Sequence, residues 1–272
     1  MPPVTGARTL VMGVLNVTPD SFYDGGRFDT PDAARARARE LIDDGADILD
    51  IGGESSRPGA EPLTAGEEWE RVAPALAHAA GLGVPLSIDT YHAETARRAF
   101  EAGAAMVNDI TALRGDPAMA GVIAEAGRPC VLMHMLGTPQ TMQNDPQYGD
   151  VVDDILRFFE ERIAFAVKEG IAEENIWLDP GFGFGKTAAH NLELLRRLQA
   201  FKQFNRPVLI GTSNKSMIGQ VLGLPANERM EGTAATVAIG IAHGADAVRV
   251  HDVKTMARVA RMTDAIMRGE NG

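Results

Sequence analysis

The sequence predicts an α/β fold, a single-domain (β/α)8 barrel running over residues 1–272, and three observations carry that expectation. Eight short apolar runs of strand length recur along the chain, segments of helical periodicity lie between them, and glycines stand where helices should stop. The 29 glycines and 15 prolines fall as punctuation between these runs and do not gather in one linker, so no domain boundary is expected.

The expected strands, in order, are LVMGVLNV (10–17), DILDIGG (47–53), PLSIDT (85–90), AMVNDI (105–110), PCVLMHM (129–135), IWLDPG (176–181), PVLIGTS (207–213) and AVRVHD (247–252). Their nearly unbroken apolar character suits parallel strands covered by helices. Between them, 31–45, 151–170 and 253–269 show clear helical spacing of apolar positions. Gly45, Gly103, Gly170 and Gly244 each precede a strand, the place for a left-handed helix cap, and three of them open a weak Gly-Ala repeat. Eight such units in a chain of about 250 residues favour a closed barrel over an open doubly wound sheet.

Composition narrows the function. With 26 Lys plus Arg against 37 Asp plus Glu the net charge is -11, a poor match to a phosphate backbone, so no nucleic-acid partner is expected. No uninterrupted apolar run approaches the roughly 18 residues of a membrane span, and the first residues lack a cleavage site of the secretory type. One cysteine, Cys130, sits inside an apolar strand; a disulfide framework or thiolate metal site is excluded, and a reducing, cytoplasmic address is expected.

Barrel enzymes place their chemistry at the carboxyl ends of the strands. Here those ends carry Asn16, Asp50, Asp89, Asn108 with Asp109, His134, Asp179, Ser213 leading to Lys215, and Arg249 with His251. Any one of them could simply cap the next helix, but the whole set describes a polar mouth. Arg249 and His251 lie two apart and project to one side of the last strand, offering donors to an anion, with Asn16 offering a metal or phosphate contact. Asp89, Asn108 and Asp179 converge from three strands and would suit a flat heterocycle bearing N–H donors and carbonyl acceptors. Asp179 opens DPGFGFGK, where Phe184 could pack on a ring face; its glycine spacing is not that of a Walker A loop. Two long loops, 18–28 and 54–63, read equally well as lids or as surface turns.

The strings GVLNVTPDSFYDGG, DIGGESSRPGA, SIDT, VNDI, LDPGFGFGKT and VRVHDV occur in order over nearly the whole chain, and together the sequence closely resembles the dihydropteroate synthase family, a sulfonamide target. The resemblance implies that a pterin diphosphate and p-aminobenzoate are joined by an SN1-like route, without a covalent enzyme intermediate. It implies that Asp89, Asn108, Met133, Asp179, Phe184 and Lys215 hold the pterin, and that Asn16, Arg249 and His251 hold the diphosphate. Asn16, with Asp20 nearby, would hold Mg2+, the implied cofactor. Phe22, beside Asp20 and Ser21 on the first loop, with Ser56, Arg57 and Pro58 on the second and Ser216, would form the p-aminobenzoate pocket. Asp89, Lys215, Arg249 and His251 would be the catalytic set, and a homodimer is implied.

One departure stands out: the family usually has Ser-Arg-Lys where this chain has Ser213-Asn214-Lys215, so a positive charge is missing beside the lysine. That favours one other reading, a non-catalytic pterin-binding paralogue; a separate alternative is a methyltetrahydrofolate-dependent methyltransferase, which would share the Asp89, Asn108 and Asp179 cradle but have no need of a diphosphate site. Met217, Ile218, Val221, Val237 and Ile241, assigned to the last two helices, are expected to be core for the most part.

Overall fold

In the computed structural model of the protein, residues 8–17, 31–55, 59 and 61–269 are described. Strands and helices alternate: β1 (Leu10–Asn16), α1 (Pro31–Asp43), β2 (Ile48–Gly52), α2 (Ala65–Ala79), β3 (Leu86–Asp89), α3 (Ala93–Glu101), β4 (Met106–Asp109) and α4 (Met119–Ala126). Then follow β5 (Cys130–Met133), α5 (Val151–Lys168), β6 (Ile176–Asp179), α6 (Ala188–Arg196), β7 (Leu209–Ile210), α7 (Ser216–Leu222), α8 (Met230–Ala242), β8 (Ala247–Val250) and α9 (Val253–Arg268). All strand pairs are parallel, in the order β6-β5-β4-β3-β2-β1-β8-β7, and a parallel bridge from Leu178 to Val208 joins the two ends into a ring. The expected barrel is the observed one.

The sequence explains the ring locally. Gly45, Gly103, Gly170 and Gly244 all have φ between 94° and 108°, so each helix end turns back onto the next strand through a backbone state that a side chain would strain. Helix starts are marked by side-chain oxygens: Thr64 caps α2 in a reciprocal box with Glu67, and Asp150 accepts from Val152 and Asp153 to start α5.

Two apolar layers divide the interior. The larger lies between strands and helices, where Cys130 packs as an inert buried thiol whose ionisation burial pushes up. The smaller forms the floor of the barrel: Leu10, Met12, Ile48, Met106, Val131, Trp177, Leu209 and Ala247. Side chains two apart on a strand share a face. Hence Ile48, Met106, Trp177 and Ala247 of the floor are followed, one layer higher, by Asp50, Asn108, Asp179 and Arg249, all lodged above an apolar plug that keeps water from beneath them.

Between β7 and β8 the chain makes two helices, with Met217, Ile218 and Val221 on α7 and Val237 and Ile241 on α8; α9 follows both, so these residues are not on the last two helices as expected. Four of the five are core; Val221 alone is exposed, at 59%.

Candidate active site at the mouth of the barrel

The polar layer is organised around one cation. Arg249 donates from Nε to Asp50 Oδ2 at 2.6 Å and from Nη2 to Asp89 Oδ2 at 2.7 Å, spanning β8, β2 and β3. Asp50 is wholly buried, and the same Oδ2 accepts from Asn108 Nδ2 at 3.0 Å. Burial works against charge on Arg249, but Asp50 and Asp89 outweigh it and hold the guanidinium above its ordinary value. For Asp89 the balance falls the other way: burial, helped by Asp50, Glu68 and Asp109, pushes it up to about 7 in spite of Arg249.

Across the mouth, Asp179 is pushed up to about 6, first by burial, against the hydrogen bond from Gly181 N at 2.7 Å and the charges of Lys215, Lys186 and Arg249. Lys215 is lowered to about 8 by burial and by Arg249, and its Nζ stands 4.4 Å from the centre of the Phe184 ring. Phe184 packs with Ile110, Met133, Met135 and Met142, making an apolar wall beside the carboxylates. Asp89, Asn108, Met133, Asp179, Phe184, Lys215 and Arg249 therefore line one end of the barrel.

His251 stands just past β8, exposed, with its Nδ1 3.0 Å from Ser213 Oγ, a contact that fixes the ring. A cleft of about 360 Å3 opens beside it, lined by Arg37, Ser213, Asn214, Thr233 and Lys254 among others. Asn16 ends β1 with an exposed side chain; a methyl group at Gly52 would meet Asp89 at 3.3 Å and Asn16 Oδ1 at 3.7 Å, so the two oxygen-bearing side chains share one rim. Ser216 is exposed at the first position of α7, directly after Lys215. Asp20, Ser21, Phe22, Ser56, Arg57 and Pro58 lie outside the described residues. Among the described residues no three His, Cys, Asp or Glu form a metal cage.

Two strand-end residues turn away from the mouth. Asp109 spends its carboxylate on Thr111 and on the backbone N–H of Leu113, closing a turn. His134 packs edge-on against Phe158 and meets Lys186, with burial holding the imidazole neutral well below its usual range.

Lys186 was not singled out from the sequence. Its buried ammonium reaches the carbonyls of Gly181 at 2.9 Å and Phe184 at 3.0 Å and His134 Nδ1 at 2.9 Å, tying the β6–α6 loop to the end of β5. The signal was present: Gly181, Gly183 and Gly185 alternate before it, and all three have positive φ, which curls the loop carbonyls around the lysine. Gly181 admits no substitute, because a Cβ there would sit 1.9 Å from the His134 carbonyl oxygen. Glu54, also unforeseen, accepts from Tyr91 Oη at 2.7 Å and Leu63 N at 2.9 Å at the foot of the second loop.

The family described as pterin binding enzyme matches residues 12–251. A dihydropteroate synthase of Bacillus subtilis (strain 168) is 51% identical over 263 residues, covering 96% of this chain and 89% of that protein. The crystal structure of a Clostridium difficile dihydropteroate synthase in the presence of pteroic acid superposes with a TM-score of 0.90 at 46% identity, covering 97% of this chain and 98% of the other. A Xanthomonas albilineans dihydropteroate synthase with 4-aminobenzoic acid superposes with a TM-score of 0.89 at 42% identity, covering 95% and 93%.

Proposed function

The chain belongs to the pterin-binding enzyme family, and from that premise we infer that it is a transferase with the dihydropteroate synthase activity. It joins 6-hydroxymethyl-7,8-dihydropterin diphosphate to p-aminobenzoate, giving 7,8-dihydropteroate and pyrophosphate. The observation that carries the reading is the cradle of Asp89, Asn108 and Asp179, faced by Lys215 and Arg249, above a dry apolar floor. One domain spanning 1–272 holds it, and the proposed address is cytoplasmic, in keeping with a lone buried thiol.

The site must offset charge twice. As the C–O bond to the diphosphate breaks, negative charge grows on the leaving group, which Arg249 and His251 would receive at the mouth of β8. Positive charge grows on the pterin methylene, and the carboxylates of Asp89 and Asp179 would stabilise it more in the transition state than in the bound substrate. The arylamine nitrogen then forms the new C–N bond and one proton is released. Met133 and Phe184 would flank the ring and exclude water that could trap the cation. Phe22, Ser56, Arg57, Pro58 and Ser216 are the proposed p-aminobenzoate contacts.

Mg2+ is the proposed cofactor. This ion prefers a few oxygen donors with substrate phosphate and water completing its shell, and the amide oxygen of Asn16 on the rim it shares with Asp89 fits that habit. When bound it would supply positive charge to the departing diphosphate. A homodimer is also proposed, supported by exposed Val221 and Leu222 on α7, Ile239 on α8, and Met262 and Ile266 on α9.

Titration calorimetry tests the reading against the methyltransferase alternative. The pterin diphosphate is expected to bind at least about 30-fold more tightly than the free 6-hydroxymethyl alcohol, about 2 kcal/mol, with the difference shrinking at high salt. Equal affinities would show that no diphosphate site exists.

A further inference from the structure

Of the groups that line the mouth, Asp50 has no part in the chemistry so far described, yet it has no exposure at all. Its carboxylate is wholly buried on β2, one oxygen taking hydrogen bonds from Arg249 Nε and Asn108 Nδ2. A carboxylate only accepts, so the Asn108 atom facing it must be the nitrogen. That leaves Asn108 Oδ1 on the other side, and it is buried without a protein hydrogen-bond partner among the described residues. A buried amide oxygen in that condition is held for something else.

We propose that Asp50 is a positioning residue that sets the hydrogen-bonding polarity of the mouth: it fixes Arg249 by one arm and turns the Asn108 amide so that oxygen, not nitrogen, is offered to the heterocycle. Asn108 then joins Asp89 and Asp179 as an acceptor. With three acceptors converging, the mouth selects a ring edge rich in N–H donors, and Lys215 and Arg249 are left to meet the carbonyl and the anionic end. The inference rests on the proposed placing of the pterin in this mouth.

The test uses Asp50→Asn, Asn108→Asp and the exchange of the two side chains in one protein, with calorimetric titration of 6-hydroxymethyl-7,8-dihydropterin diphosphate. In Asp50→Asn nothing fixes which way the neighbouring amide faces, so the Kd for the pterin diphosphate is expected to rise about 100-fold, while the KM for p-aminobenzoate at saturating pterin changes less than about threefold. The double exchange keeps one carboxylate and one amide in contact, returns an acceptor to position 108, and is expected to recover at least about tenfold of that loss.

A pH readout separates positioning from mere packing. Asp89 is faced by Asp50 from β2, Glu68 from α2, Asp109 from β4, Arg249 from β8 and Lys215 after β7. Removing the Asp50 charge takes away a like-charged neighbour, so the acid limb of pterin binding moves to lower pH in Asp50→Asn. Unchanged affinity and an unmoved acid limb would overturn the proposal. So would a loss that tracks a lowered Tm and is not recovered by the exchange. If the wild-type protein itself fails to bind the pterin diphosphate, the functional reading falls and this inference with it, an outcome seen before any variant is made.

Discussion

Arg249→Ala is expected to raise the Kd for the pterin diphosphate at least about 100-fold, because the proposed charge-assisted donor to the anionic leaving group is lost in a partly desolvated site. The same change should destabilise the fold. Asp50 has no exposure, and Arg249 supplies one of its two hydrogen bonds and its counter-charge. Removing one member of a buried pair costs on the order of 3 kcal/mol or more, which for a chain of this size lowers Tm by roughly 10 °C. Arg249→Lys should rescue little, since a single ammonium cannot reproduce the fork that reaches Asp50 and Asp89 together. Calorimetric titration and thermal denaturation of both variants check the two effects separately; an Arg249→Ala protein with wild-type affinity would remove the diphosphate assignment.

The second large effect concerns Asp89. Asp89→Asn keeps the shape of the side chain but deletes the charge proposed to favour a cationic pterin, so kcat should fall about 100- to 1000-fold, roughly 3–4 kcal/mol, with a smaller change in KM for p-aminobenzoate. Arg249 retains Asp50, so stability should change little. The pH profile of the wild-type enzyme follows from the same groups. Asp89 at about 7 and Asp179 at about 6 must be ionised, so activity falls as pH drops through these values. Lys215 at about 8 must be protonated to donate, so activity falls as pH rises past it. Bound substrate, by donating ring N–H groups to the carboxylates, favours their ionised form and moves that limb to lower pH, so kcat should tolerate acid better than kcat/KM. In Asp89→Asn the limb near pH 7 should vanish and the one near 6 persist; a profile that keeps both would contradict the role given to Asp89.

The barrel was legible because its parallel strands are buried on both faces and therefore carry apolar runs, while the pleat forces a sharp change to polar residues at one end. Ile48 to Asp50, Met106 to Asn108 and Trp177 to Asp179 are each a step of two along one strand, and that step alone builds floor and mouth. Less legible was what each polar residue binds. Asp109 and Asn108 are neighbours, yet alternation sends Asp109 away from the mouth to close a turn, a fate that a list of strand ends does not separate. Lys186 was hidden because its partners, His134 Nδ1 apart, are backbone carbonyls, which have no letter in the sequence.

Asn214 was the apparent defect. It sits at φ 57°, a left-handed conformation that asparagine tolerates better than most residues, with its N–H bonded to Thr233 Oγ1. Arg229, fifteen residues later on the same side, donates to the Asn214 carbonyl at 3.0 Å. A guanidinium therefore does stand against this loop, supplied from the start of α8 and not from position 214 itself.

The most direct measurement is turnover of the purified protein with Mg2+ and 6-hydroxymethyl-7,8-dihydropterin diphosphate, with and without p-aminobenzoate, following pyrophosphate and 7,8-dihydropteroate in the same samples. Dihydropteroate is expected to form only with p-aminobenzoate, in equal amount to the pyrophosphate released under that condition. Tight binding of the pterin diphosphate with no dihydropteroate in either condition would contradict it, leaving a pterin-binding mouth that does not join the two substrates.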